Sequence, residues 1–112
     1  MNFEVNRKQA EEVSKIFKSF SQVTRLLILC RLSKGPASVL ELQEACGLDQ
    51  APTSQFLARL RREGRIQGER VGNQVFYTLT DERLTELMQH THRLFCEGKP
   101  ESRAARSGTK KK

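Results

Sequence analysis

Two groups of side chains carry chemistry that could act on another molecule. The first is the polar and cationic series Gln50, Ser54, Gln55, Arg59 and Arg62, spaced along one short segment. Gln bonds adenine twice, Arg bonds guanine twice, and a hydroxyl adapts to either partner, so these types suit base edges and phosphates. The second is three thiols, Cys30, Cys46 and Cys96. An odd number of cysteines does not read as a disulfide framework, which leaves core thiols, metal ligands or redox groups. No nucleophile–base pair, phosphate loop or metal triad appears with useful spacing. The reading is therefore a binding protein rather than an enzyme, with no cofactor and no preformed metal site.

Charge supports a polyanionic partner only in part. The chain of 112 residues carries a net +7. Residues 97–112 hold six Lys/Arg and two Glu, leaving only +3 for the first 96 residues. Basicity alone thus does not identify a nucleic-acid surface. The start, Met-Asn-Phe-Glu, lacks an apolar signal core, and the longest apolar run, Leu26 to Cys30, is far too short to cross a bilayer. A cytoplasmic protein without membrane contact is expected.

The order of elements says more. Ala10, Val13, Ile16, Phe17 and Phe20 recur at three- and four-residue steps and predict a first helix from about Asn6 to Phe20. Ser21 is a candidate cap for a second helix through Leu32, apolar almost all round and hence central. Lys34-Gly35-Pro36 ends it. Ser38 and Glu41 form a capping box for a short third helix that stops at Gly47. Asp49 caps a fourth helix that has Pro52 in its first turn and ends at Gly64. Strands follow at Arg65–Arg70 and Gln74–Leu79 across the turn signal Val71-Gly72-Asn73. Asp81 then caps a last helix reaching about Cys96.

Two short helices joined by Gly47-Leu48-Asp49 make a helix-turn-helix, and the hairpin behind them is a wing. The expected fold is mainly α (α+β), a winged helix-turn-helix in ααααββα order. It would occupy residues 1–97, with 98–112 a disordered basic tail.

In this arrangement the fourth helix is the recognition helix. Leu57 and Leu60 face the core and Thr53 straddles the edge. Gln50, Ser54, Gln55, Arg59 and Arg62 face the DNA. Cations at Arg61, Arg65 and Arg70 add phosphate contacts, and Asn73 and Gln74 sit at the wing tip. The candidate DNA set is therefore Gln50, Thr53, Ser54, Gln55, Arg59, Arg62, Arg70, Asn73 and Gln74. On the last helix Leu84, Leu87, Met88, Thr91 and Leu94/Phe95 form a seam. A two-fold dimer through the first and last helices would read two half-sites.

With these elements in place the chain resembles the ArsR/SmtB family of bacterial repressors, from about Val13 to Cys96. The resemblance is carried by Arg25-Leu26-Leu27-Ile28-Leu29-Cys30, by Thr53-Ser54-Gln55-Phe56-Leu57-Ala58-Arg59-Leu60-Arg61-Arg62-Glu63-Gly64, and by Val75-Phe76-Tyr77-Thr78-Leu79. It implies a homodimer that binds duplex operator DNA and releases it when an inducer alters the dimer. Family members usually have His where this chain has Phe56, which puts the operator sequence in question.

Two familiar metal sites of the family are not matched. The third helix has no Cys-x-Cys. On the last helix Asp81 matches the first zinc position, but Arg83 and Leu94 occupy the next ones, with Glu97 at the end. The pair Cys30 and Cys96, in the contexts Leu27-Ile28-Leu29-Cys30 and Arg93-Leu94-Phe95-Cys96, resembles the subgroup of sulfide- and persulfide-responsive repressors. That resemblance implies that Cys30 and Cys96 form a redox switch reacting with a reactive sulfur species or an oxidant. His92 and Arg93 are expected to lower a thiol pKa there. A metal-responsive alternative would use Cys30, His92 and Cys96, and a second alternative is a winged-helix DNA-binding protein with no inducer.

Overall fold

The computed structural model describes residues 4–97. The expected tail, 98–112, lies outside the described residues. The elements are α1 (Arg7–Ser19), α2 (Val23–Leu32), β1 (Ala37–Ser38), α3 (Val39–Cys46), α4 (Gln50–Arg62), β2 (Ile66–Val71), β3 (Gln74–Leu79) and α5 (Glu82–His92), followed by a π-helical turn (Arg93–Glu97). This is the expected winged helix-turn-helix, with one short strand added.

Local signals set most boundaries. Asn6 caps α1 and forms a capping box with Gln9, at 2.8 and 3.1 Å. Ser38 and Glu41 do the same for α3. Gly47 closes α3 at φ 65°, a left-handed conformation that favours glycine. The cap of α2 differs from expectation. The Ser21 hydroxyl donates to the Lys18 carbonyl and so finishes α1, and Gln22 takes over by accepting from the Arg25 N–H at 3.0 Å. Asp49 does sit at the N-cap of α4, but its side chain makes no capping bond.

The sheet is antiparallel in the order β1-β3-β2. β2 and β3 pair from Ile66↔Leu79 to Val71↔Gln74 across a two-residue turn starting at Gly72, φ 64°. β1 pairs Ala37 with Tyr77 and Ser38 with Phe76. Gly68 lies opposite Tyr77, and a Cβ there would come within 2.9 Å of Val75 Cγ1, so the covering side chains of β3 require glycine.

One core joins these layers. It contains Ile28, Leu29 and Leu32 of α2, Leu42 of α3, Leu57 and Leu60 of α4, Ile66 and Tyr77 of the wing, and Met88 of α5. α2 is central as expected, but not buried all round: Val23 and Leu27 remain exposed on one side. α1 is turned against expectation for a monomer. Its buried residue is Ser19, held by Arg65 Nε at 2.7 Å, while Val13 and Phe17 face out. The seam on α5 divides: Leu84 and Met88 enter the monomer, whereas Leu94 and Phe95 stay 68% and 74% exposed.

Arg25 is buried at the start of α2 and pairs with Glu63 at the end of α4. A guanidinium out of water needs its counter-charge, whereas an exposed pair contributes little. Since the Glu63 side chain is 37% exposed, the pair lies between these limits. Glu63→Gln should lower unfolding stability by about 1–3 kcal/mol. Glu69→Gln, at an exposed position of β2, should change it by less than about 0.5 kcal/mol. Urea denaturation of both variants measures the difference, and equal effects would refute this role for Glu63.

Candidate nucleic-acid interface and thiol site

α4 presents its two faces cleanly. Leu57 and Leu60 are buried, and Phe56 is half-buried against the same core. Gln50, Ser54, Gln55, Arg59 and Arg62 are exposed. Gln55, Phe56, Ala58, Arg59 and Arg62 line an open groove of about 330 Å3 along this face. Arg70, Asn73 and Gln74 are exposed on the wing.

Thr53 is a correction. It is fully buried and its hydroxyl donates to the Asp49 carbonyl at 2.7 Å. The i→i−4 bond closes the first turn of α4 from inside, so Thr53 has no group left for DNA. Arg65 likewise turns inward to Ser19 rather than outward. Glu63 is held by Arg25 of α2 rather than by an arginine of its own helix or of the hairpin. An arginine in the first turn of a mostly apolar helix is the sequence signal that could have pointed to this partner.

The thiols occupy α2, α3 and the π-helical turn. Cys30 is half-buried and its thiol points at the Met88 sulfur, 3.9 Å away. Cys46 is half-buried and Cys96 is exposed; all three are free. Burial pushes the Cys30 thiol pKa up, the Cys96 and Cys46 thiols push it further, and Lys34 opposes them weakly. Burial also raises Cys46, against Arg31. The Arg93 guanidinium contacts His90, and His92 Nδ1 lies 3.6 Å from Glu97.

The π-helical turn explains that partner. Its bonds span five residues, and His92 meets Glu97 five positions on. A cleft of about 340 Å3 beside Cys30 is lined by Ser33, Lys34, Gln89, His92, Arg93 and Glu97. Among the described residues, no three His, Cys, Asp or Glu side chains gather closely enough to hold a metal ion. Asp81, the matched zinc position, is occupied by Arg83, which donates to both its oxygens at 2.7–3.1 Å. That hydrogen bonding holds the Asp81 pKa down at about 2. No helix among the described residues is long and apolar enough to cross a membrane.

A short turn between α3 and α4, an exposed polar face on α4 and a hairpin behind it define a winged helix-turn-helix DNA-binding protein. Comparison with known proteins takes this further. Residues 22–67 match the family described as bacterial regulatory protein, arsR family. The chain is 35% identical over 96 residues to the biofilm growth-associated repressor of Xylella fastidiosa, covering 86% of this chain and 84% of that protein. It is 34% identical over 97 residues to the transcriptional activator HlyU of Vibrio cholerae, covering 87% and 90%. Among solved structures, reduced HlyU from Vibrio cholerae superposes with a TM-score of 0.75 at 35% identity, over 80% of this chain and 94% of that one. The transcriptional repressor BigR from Xylella fastidiosa gives 0.74 at 36%, over 80% and 91%. The chain belongs to the arsR family of bacterial regulatory proteins and regulates transcription by binding DNA.

Exposure and thiol pKa together order the cysteines by reactivity, because the thiolate is the attacking form. At pH 7.5 iodoacetamide should label Cys96 first and Cys30 about tenfold more slowly or less. The Cys30 rate should climb with pH beyond the range of an ordinary thiol. Time-resolved peptide mass spectrometry measures both; prompt labelling of Cys30 at neutral pH would contradict the raised pKa.

Proposed function

We propose that the protein represses transcription as a homodimer whose grip on operator DNA is set by the thiols Cys30 and Cys96. The observation that carries this reading is the position of the two thiols. They sit on α2 and on the turn after α5, beside the apolar side chains that the monomer leaves uncovered.

Those side chains support the dimer. Val13 and Phe17 of α1, and Leu94 and Phe95 of the final turn, are exposed and large. Exposed apolar side chains of this size and number call for a partner surface. A second copy paired through α1 and the α5 end places two recognition helices on one duplex, and the bases of two half-sites are read together. Gln50, Ser54, Gln55, Arg59 and Arg62 then read or grip the major groove, while Arg70, Asn73 and Gln74 hold the backbone or minor groove.

The inducer is a persulfide or an equivalent oxidant. The exposed Cys96 thiolate attacks the outer sulfur of a persulfide RSSH, forming Cys96–SSH and releasing the thiolate RS⁻. The Cys30 thiolate then attacks the inner sulfur of Cys96–SSH and expels HS⁻. The products are a Cys30–Cys96 disulfide, the thiol RSH and hydrogen sulfide; the protein thiols lose two electrons and the persulfide gains them. Cys96 is exposed while Cys30 is half-buried with a raised thiol pKa, so Cys96 meets the reagent first and Cys30 takes the second step. The link would tie α2 to the dimer-forming end of α5 and move the two recognition helices relative to each other. The form in which HlyU of Vibrio cholerae was solved is described as reduced, which is consistent with a redox-active relative.

Three outcomes are expected. Gln55→Ala with Arg59→Ala should weaken operator binding by about 10–100-fold and random duplex much less, measured by fluorescence anisotropy. Unchanged affinity would show that α4 does not read the operator. Treatment with glutathione persulfide should yield a Cys30–Cys96 linked peptide and loss of operator binding. Cys96→Ser should bind operator with or without persulfide. Phe17→Glu with Phe95→Glu should give monomers by light scattering; retention of the dimer would place its interface elsewhere.

A further inference from the structure

A cleft of about 540 Å3 opens where the second half of α1, the start of α2, the end of α4 and the start of the wing meet. Lys15, Lys18, Arg25, Arg59 and Arg65 line it, with Glu63 as its carboxylate. Five cations against one anion is a strong local excess, since the first 96 residues together carry only +3. Like charges crowded into one recess repel, and a site that keeps them is suited to an anionic occupant.

The cleft is built, not a chance meeting of surface lysines. Arg25 is 8% exposed, and its Nε–H is buried with no acceptor, because Glu63 takes only the Nη2 end. Buried N–H groups of this kind rarely lack a partner. Arg65 is fixed by Ser19 on α1. Lys15 and Lys18 stand one helical turn apart on the same side of α1 as Ser19, opposite Val13 and Phe17. They are exposed and make no ion pair among the described residues. Rigid guanidiniums at the floor and mobile ammoniums at the rim match the needs of a phosphate, which takes several donors at once.

Arg59 indicates where that phosphate comes from. It lines this cleft and also the groove on the outer face of α4. A DNA strand leaving the recognition helix past Arg59 would carry its next phosphates to the cleft. We propose that the cleft is a phosphate seat, filled by the DNA backbone flanking the base pairs that α4 reads. The choice of DNA as the source rests on the DNA-reading role of α4; the seat itself does not.

The test uses the full chain and the double variant Lys15→Gln/Lys18→Gln. Affinity for operator and for random duplex is measured across salt concentrations, and the free proteins are titrated with pyrophosphate while the Arg25 and Arg65 Nε–H resonances are followed. With a DNA occupant, the slope of log K against log salt falls by about 1–2 per subunit, and operator and random duplex weaken by the same factor. An unchanged slope, with pyrophosphate shifting the two resonances in the parent protein and not in the variant, keeps the seat and assigns it to a free phosphate compound. An unchanged slope with silent resonances overturns the proposal. If the parent protein binds no duplex at all, the role of α4 fails, and the pyrophosphate titration still decides the cleft.

Discussion

Arg25 is the one buried charge among the described residues, and much of the architecture is arranged around it. It ties the first turn of the central helix to Glu63, the last residue before the chain leaves α4 for the wing. Two residues later Arg65 reaches back to Ser19 of α1. Thr80, at the far end of the hairpin, donates to the Gly64 and Arg65 carbonyls and closes the same junction. The recognition helix is therefore anchored at its C-terminal end by polar contacts and along its inner face by Leu57 and Leu60. Its outer face is free of such duties, which is what a reading surface needs. The charge that fixes the joint also sets the cationic character of the recess beside it.

The monomer is incomplete in a particular direction. α1 turns a serine inward and its aromatic stripe outward, the reverse of an amphipathic helix serving its own core. Val23 and Leu27 of α2 share their stripe with Cys30, and Leu94 and Phe95 immediately precede Cys96. The uncovered apolar side chains and the thiols thus accompany each other. A covalent change at either thiol would be felt at the surface on which the proposed dimer rests, without a long relay through the core. Cys30 and Cys96 differ in burial: the first is half-buried and the second is exposed.

Much of this was legible beforehand, because local chemistry determined it. The capping box at Ser38, the glycine at 47, the two-strand wing and the inward pair Leu57 and Leu60 follow from spacing and from groups within a few residues of each other. Backbone donors at a helix end must be satisfied nearby, so the residues that do it are close in sequence. The outward series Gln50, Ser54, Gln55, Arg59 and Arg62 follows from the same helical period once the inner face is known.

What only the tertiary structure decided involves partners far apart in the chain. β1 is two residues long, too short for any periodicity, and exists because β3 offers it a free edge. Thr53 was placed at the DNA edge, but its burial depends on how α4 packs. The pairs Arg25–Glu63 and Arg65–Ser19 span 38 and 46 residues, and His92 meets Glu97 across the π-helical turn. By itself the sequence determined the five helices and the two wing strands, their order and the face of α4 that meets solvent, since those are fixed by neighbours along the chain. Which charge is buried, which thiol is sheltered and which apolar stripe is left bare were decided by packing, where contacts between distant segments compete for the same space.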